Sequence, residues 1–586
     1  MCDIYPSRAS RPSGRLPSNA DDMAVTALAC LCVLASALVA LAVYRAALPR
    51  PLPGIPYNAA AARRVLGDLG AMRSARYRRQ WIWSQPREHG APLSQAFLFP
   101  FRRPAVIVSD YRTAVDICAR RAREFDRGSR NRECVGLTAP AFHFTMESRD
   151  PRFRLHREIL RDLMSPWFLQ EVAAPRVYEK AALLVELWRT KRHKAAGRPF
   201  AAGRDLHLAT LDMISSVAFG MEESRSSLRA ELAAARRSAP ADAEPARFPP
   251  APEDPEAEAL LDIPDMIAVA QASPFPALAQ RLALLKPRHA RAHWHRRRLL
   301  RRQTERCLDT LAADKHVPDC ALHQLLWREK MAARRAGRPP DFYSPAIRDE
   351  VLGYLLAGHD TTAAVLAWWI KHMTRHQHVQ ARLRRALRDA HPAARRDRRP
   401  PTLAELSSAP VPYLDAVLEE TLRCASVATL IVRTATCDTH IHGYPIPRGT
   451  DVVIPLTGPS LTEPALGSAL DAAPAASWPD HDIELYLPDR WLRPDGSFDP
   501  HAGPTLAFSV GPRRCFGKKQ ALLQLKTTAA LLLWEFCFLP LDPALDGWDI
   551  HERLVNLPKC CFVKLAHDSL FDGEAPLDGG GGSVSW

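Results

Sequence analysis

Residues 507–525 read AFSVGPRRCFGKKQALLQL: two arginines, a cysteine and a glycine stand directly ahead of an apolar helical pattern. Most cysteines inside cells are small buried apolar residues, but Cys515 lies among glycine and positive charge. A helix beginning near Lys518 would offer partial positive charge and free N–H groups at its start. Such surroundings favour a thiolate, the form of cysteine that ligates metals. Gly511 and Gly517 let the backbone turn sharply and approach a flat ligand closely, and Arg513 could pair with a carboxylate on it. Zinc wants three or four protein ligands, and no second Cys or His stands nearby. One axial position on haem iron, whose macrocycle supplies four donors, suits a single sulfur. A bland surface loop is the alternative.

Three other places could carry chemistry. AGHDTT, residues 357–362, interrupts the apolar helical run SPAIRDEVLGYLLAGHDTTAAVLAWWI, which Ser344 and Pro345 are fit to start. A buried acid such as Asp360 is costly unless paired or used. The plain alternative is a polar wrinkle whose Thr361 and Thr362 bond back to the helix. Ala357 and Gly358 are small enough for a plane to pack on them. In EETLR, residues 419–423, Glu420 and Arg423 share a helix face, an arrangement common on solvated helices. Further cations stand at Arg157 in the basic amphipathic stretch RFRLHREILRDL, at Arg433 in IVRTATCD and at Arg490 in LPDRW.

Phe508, Gly511, Arg513, Cys515 and Gly517 fit the pattern F-x-x-G-x-R-x-C-x-G, which resembles the haem-binding loop of the cytochrome P-450 superfamily. The resemblance implies heme b (iron-protoporphyrin IX) with the Cys515 thiolate as axial metal ligand, seated on this loop. It implies that Arg157, Arg433 and Arg513 meet the two propionates. Phe153 stands four residues before Arg157, where the family often has Trp; the missing indole N–H removes a hydrogen bond worth roughly 1 kcal/mol, and the neighbouring His156 is a possible substitute. Asp360 and Thr361 would be catalytic, passing protons to bound dioxygen. Glu420, Arg423 and Arg490 would form a structural cluster supporting the fold and the cysteine loop, although Asp489 and Leu485 depart from the usual residues there. The motifs follow the family's order over roughly residues 50–565, and HIHGYPIPRGTDVVIPLTGPS (440–460) resembles filamentous-fungal members that tailor secondary metabolites. The implied activity is a monooxygenase: two electrons reduce O2, one oxygen atom enters a hydrophobic small molecule and the other becomes water. Rival readings are a haem-binding sensor or carrier, which would not need Asp360 and Thr361, and an isomerase or dehydratase of the same fold, whose acid–Thr pair is commonly altered.

The elements that must position these residues are mainly α, with a smaller β-rich part. The 586 residues suggest three or four domains by length alone, but the resemblance implies a single large domain with an N-terminal transmembrane helix. The expected division is a tail (1–22), an anchor (23–43), a proline-rich spacer (44–56), the haem-thiolate domain (57–567) with a mobile Pro- and acid-rich insertion at 238–258, and a disordered tail (568–586). MAVTALACLCVLASALVALAV (23–43) has no charge and suits one bilayer crossing; a cleaved signal peptide is the alternative. Arginines crowd the residues after it (Arg45, Arg50, Arg63, Arg64), so the positive-inside rule places the bulk of the chain in the cytosol. In the resembled family that means the endoplasmic reticulum membrane. Thirteen scattered cysteines read as reduced thiols. The net charge of +15 admits nucleic acid, an anionic membrane or an acidic protein as partner; zinc-finger and RNP motifs are missing, which disfavours nucleic acid. The strongly basic run 286–305 is either a solvated helix face or a membrane- or partner-facing patch. Electrons must come from outside, since the chain has no nicotinamide or flavin fingerprint. The family's donor is an NADPH-dependent flavoprotein reductase with an acidic docking surface, which would meet Arg152, Arg154, Arg161, Lys518 and Lys519. Residues 135–147, 429–431 and Ala357 correspond to substrate walls.

Overall fold

The uncharged run that follows Asp22 folds as α1 (Asn19–Ala47). Its stretch Thr26–Ala47 has a mean hydropathy of 2.5 and is not buried in the protein, so its length and composition suit a bilayer crossing. The computed structural model describes residues 19–221, 225–252, 254–312, 318–425, 427–456 and 482–567; of the tail expected at 1–22, residues 19–22 open α1, while residues 1–18 and the tail expected at 568–586 lie outside the described residues. Of the proline-rich spacer expected at 44–56, residues 44–47 continue α1 and a turn follows in which Gly54 has φ +78°, and the stretch does not stand clear of the globule. Leu52 and Ile55 are buried, and the Gln95 side chain ties their backbone down, accepting from Leu52 N (2.8 Å) and donating to Ile55 O (2.7 Å).

The β-rich part is built on a five-stranded sheet of β1 (Leu93–Ala96), β2 (Ala105–Val108), β3 (Phe125–Asp126), β4 (Leu430–Ala435) and β5 (Asp451–Pro455), in the order β1-β2-β5-β4-β3. The β2–β5 pair is parallel and the others are antiparallel. β-branched residues dominate the inner strands, as a pleated buried surface favours. Side chains alternate along a strand, so Ile431 and Arg433 of β4 fall on one face, and that face turns toward the helices.

The helical part carries α2 (Pro151–Leu160), α3 (Gly203–Phe219), α4 (Pro255–Gln271), α5 (Pro287–Ala312), α6 (Ala321–Arg335), α7 (Pro345–Arg375), α8 (Pro412–Cys424) and α9 (Lys518–Glu535). α7 starts where Ser344 Oγ accepts from Ile347 N and Pro345 fills the first turn. It runs 31 residues through the core, against α3 and α9. Gly358 permits that contact, because a Cβ there would lie 2.5 Å from Ile214 of α3. α9 begins at Gly517 with no side-chain cap, which leaves its first amides for other partners.

The stretch 238–258, expected as a mobile insertion, has backbone ties to the globule. Ala246 N donates to Pro199 O (2.8 Å) and Ala251 N to Glu231 Oε2 (3.0 Å). Ala246 and Ala251 are buried, and the stretch ends in the first turn of α4. The basic run 286–305 lies within α5 apart from its first residue.

Candidate active site

A cavity of about 370 Å³ opens between α7, α9, β4 and the 142–146 loop. Cys515 reaches it from a loop closed by its own N–H, which donates to Phe508 O (2.8 Å). Gly511 carries φ +75°, and a Cβ there would sit 2.1 Å from Cys118 O, so only glycine lets the loop pack onto the chain below. At Gly517 a Cβ would meet nothing within 4 Å. Cys515 is exposed and faces the cavity. The protein packed around it nonetheless pushes the thiol pKa up by desolvation, against the pull of the Gly517 N–H and Lys518. In the protein alone, burial thus works against the thiolate that the Gly517 N–H and Lys518 favour. A bound metal ion reverses this balance, because a coordinating thiol is deprotonated.

One rim of the cavity is cationic. Arg127, Arg157, Arg433 and Arg513 all line it. Arg433 is 1% exposed; its Nη2, Arg127 Nε and Arg513 Nη1 are buried without a hydrogen-bond partner. Burial depresses all four guanidiniums, Arg513 to about 10, and neighbouring arginines reinforce the effect at Arg127, Arg157 and Arg513. The carboxylate set against Arg127, Arg433 and Arg513 is Asp126, 4.0 Å from Arg513 Nε. Arg513 spans Phe153 (4.2 Å to the ring centroid) and Arg157 spans Phe516 (5.0 Å). Buried cations with orphaned donors call for an anion, and two carboxylates on a flat macrocycle fit this rim. Arg127 had no signature in the sequence: it lies in the loop beyond β3, far along the chain from the other three.

The 142–146 loop is held from two sides. Arg513 Nη2 donates to Met146 O (2.8 Å). From α7, Glu350 accepts from His143 N (2.7 Å) and lies 2.7 Å from the Nδ1 atoms of both His143 and His156, while Asp349 accepts from Ala141 N (2.8 Å). Burial works to raise the Glu350 pKa, but the two histidines outweigh it and hold the carboxyl below its ordinary range. His156 is thus engaged by Glu350. Sequence reading missed Glu350 and His143, which meet across 207 residues. The clamp sets Phe142, His143 and Phe144 into the cavity wall beside Ile431, Ala357 and Val365; Thr429 is buried outside it.

Along α7, Ala357, Gly358, Thr361 and Thr362 face the cavity. Thr361 Oγ1 donates to Ala357 O (2.7 Å). Asp360 does not line the cavity. It is 2% exposed, its Oδ2 has no partner, and its Oδ1 lies 4.0 Å from His207 Nδ1 on α3. Burial pushes His207 down to about 4, so it is neutral near pH 7.

Behind the cysteine loop, the structure brings Glu420, Arg423 and Arg490 together. Arg423 grips Glu420 with two bonds (2.7 and 2.8 Å), and Arg490 Nε lies 3.3 Å from Glu420 Oε1. Leu487 N and Trp491 Nε1 complete the carboxylate, both at 2.8 Å. Arg423 also donates to the carbonyls of Ile483 and Leu485. Leu485 therefore serves through its backbone, and Asp489 turns outward to Arg382.

The chain matches the cytochrome P450 family over residues 96–564. It is 33% identical to cytochrome P450 monooxygenase TRI13 of Fusarium sporotrichioides, over 92% of this chain and 98% of that protein. It is 32% identical to cytochrome P450 monooxygenase xilC of Penicillium rubens, over 91% of this chain and 95% of that protein. A cytochrome P450 monooxygenase of Pestalotiopsis microspora is 33% identical, with 91% and 97% covered. Haem-thiolate iron, implied by the family, fits a cavity with one sulfur on its surface and orphaned guanidinium donors at its rim, and the chain belongs to the cytochrome P450 family of monooxygenases.

Proposed function

We propose that Cys515 is the axial thiolate of heme b and that the protein inserts one atom of O2 into a hydrophobic small molecule, in a step of fungal secondary-metabolite biosynthesis. The observation that carries this reading is the cationic rim with unpartnered donors in the cavity that Cys515 lines. Arg127, Arg157, Arg433 and Arg513 would hold the two propionates, and Phe508, Gly511 and Gly517 would shape the seat. The bound haem supplies O2 activation, with the thiolate favouring O–O cleavage. The chain's own residues do the rest. Phe142, Phe144, Ile431 and Val365 exclude water and orient an apolar substrate. Thr361 presents its hydroxyl at the cavity, and Asp360 holds the proton supply on the α3 side, where His207 is its neighbour. Glu420, Arg423 and Arg490 support the cysteine loop from behind.

Electrons would arrive from an NADPH-cytochrome reductase at Arg152, Arg154, Arg161, Lys518 and Lys519, all exposed, with Arg514 beside them; Arg152 and Arg161 already meet Asp150 and Asp162. Turnover limited by reductase should then fall with rising salt. α1 would anchor the chain in the endoplasmic reticulum membrane as a single pass, with the arginines after it on the cytosolic side. The test is the reduced carbon monoxide spectrum of the protein and of Cys515→Ser. The thiolate-type band is expected in the first and lost in the second; its survival in Cys515→Ser overturns the ligand assignment. Thr361→Ala should keep the band while NADPH consumption yields peroxide in place of product.

A further inference from the structure

α5 has two basic faces with opposite fates. One is neutralised by α4: His289 Nδ1 lies 2.7 Å from Asp262, Arg288 pairs with Asp265 (3.1 Å), Arg296 with Asp262 (3.4 Å) and Arg302 with Glu256 (2.6 Å). The other face carries Arg297 and Arg298, which have no acidic partner among the described residues. It turns toward the first turns of α7 across a cleft of about 530 Å³. No residue lines both this cleft and the Cys515 cavity.

The cleft is built in layers. Its floor is apolar, with Leu300, Ile347 and Val351 each no more than 6% exposed. Two aromatic rings flank it, Trp294 and Tyr343, each 55% exposed. The Arg298 guanidinium sits 5.3 Å over the Trp294 ring. Arg301 and Arg348 add charge at the rim, although each already meets an acid, Glu305 (2.9 Å) and Asp349 (2.8 Å). The local field is positive: burial and the neighbouring Arg296, Arg297 and Arg348 depress the pKa of His293 in the cleft wall. Free guanidiniums recognise carboxylate and phosphate in a fixed, forked geometry. An enclosed apolar floor recognises a tail or ring. A solvated helix face would need the cations but not the floor.

We propose that the cleft between α5 and the start of α7 is a second ligand site, taking a small amphipathic anion whose carboxylate or phosphate head meets Arg297 and Arg298 and whose apolar body lies on Leu300, Ile347 and Val351. The ligand is either a soluble amphiphile or the anionic headgroup end of a membrane lipid.

The test is calorimetric titration of octyl phosphate, and separately octanoate, into the full-length holoprotein in phosphatidylcholine nanodiscs. The haem iron is blocked by 4-phenylimidazole, and empty discs supply the blank. One saturable site is expected, weakened at least about tenfold in the double variant Arg297→Gln/Arg298→Gln and unchanged in Arg291→Gln. Repeating the titration in discs containing phosphatidylserine separates the two sources. Loss of octyl phosphate binding there identifies a bilayer lipid as the natural occupant, and unchanged binding identifies a soluble one. Absence of saturable binding, or equal binding in the double variant, overturns the proposal. The reduced carbon monoxide band of the double variant shows that the haem site is intact, so failure here leaves the Cys515 reading standing.

Discussion

The protein has two arginine clusters, one around Glu420 and one at the cavity rim, and they are opposites. Around Glu420, the carboxylate is met by Arg423, Arg490, Leu487 N and Trp491 Nε1, and the spare donors of Arg423 and Arg490 reach backbone carbonyls. Around the cavity rim, Arg127, Arg433 and Arg513 repel one another and keep buried donors without partners. A closed network rigidifies a fold, whereas a half-satisfied one is costly until a ligand completes it. The difference separates arginines whose donors the fold itself satisfies from arginines that, on the proposed reading, a bound cofactor would satisfy, a distinction residue type alone does not make.

The comparison breaks most severely at Glu420. Removing one partner of a buried ion pair costs about 3–5 kcal/mol, because the other charge is left uncompensated. Glu420→Gln should lower the unfolding free energy of haem-free and haem-loaded protein alike by that order in urea titrations. A loss seen only with haem bound would move this cluster into the cofactor site.

The rim should respond in the reverse sense. Arg433→Met removes a depressed cation from a crowd of cations, so the haem-free protein should be as stable as before or more so. With haem bound, one charge-assisted hydrogen bond is lost, worth about 1.5–3 kcal/mol. Haem transfer to apomyoglobin should then run roughly ten- to a hundredfold faster. Equal destabilisation of both forms would contradict the reading of the rim as a ligand seat.

What the sequence disclosed follows the same division. The Glu420–Arg423 pair and the Cys515 loop are local: two residues three positions apart on one helix turn, and ten residues in one loop, so spacing reveals them. Arg490 joins from the short turn Pro488–Trp491, beyond β5 in the chain. Arg127 and the Glu350–His143–His156 clamp are assembled from loops and helices far apart in the chain, and no periodicity marks such meetings. Asp360 is an intermediate case. Its presence was plain, but whether it faced the cavity or α3 depended on how α7 is rotated, and Ile214 against Gly358 sets that rotation. At Cys515 the cations and helix start were legible, whereas the protein surroundings that push its thiol pKa up were not. The prolines after α1 marked a stiff spacer but gave no sign of the Gln95 contacts that dock it.

The clamp supplies a smaller, pH-dependent probe. Glu350 has a folded pKa depressed below its ordinary 4.5. Its contribution is therefore present above that value and lost as pH falls through the folded pKa, an effect on the order of 1 kcal/mol. Amide exchange in residues 139–146 should quicken below pH 4.5 relative to α9. In Glu350→Gln it should be fast already at neutral pH and lose this acid step. An acid step that persists in the variant would assign it to another carboxylate.

The smallest effect sharpens the boundary between the clusters. Phe153 underlies Arg513 with its ring face, 4.2 Å from the guanidinium carbon, so the aromatic contact serves the rim even though the ring lacks a donor. A tryptophan at this position keeps that face and adds an indole N–H. If the rim is a propionate seat, Phe153→Trp gives one more hydrogen bond to an anion already bound, worth about 1 kcal/mol. Haem loss should slow roughly fivefold, while urea unfolding of the haem-free protein should change little, since the new donor has no partner until haem arrives. Were the haem-free protein instead stabilised and haem loss unaltered, the 153 ring would belong with the closed network behind the loop, and Arg513 would be a structural cation that merely borders the cavity.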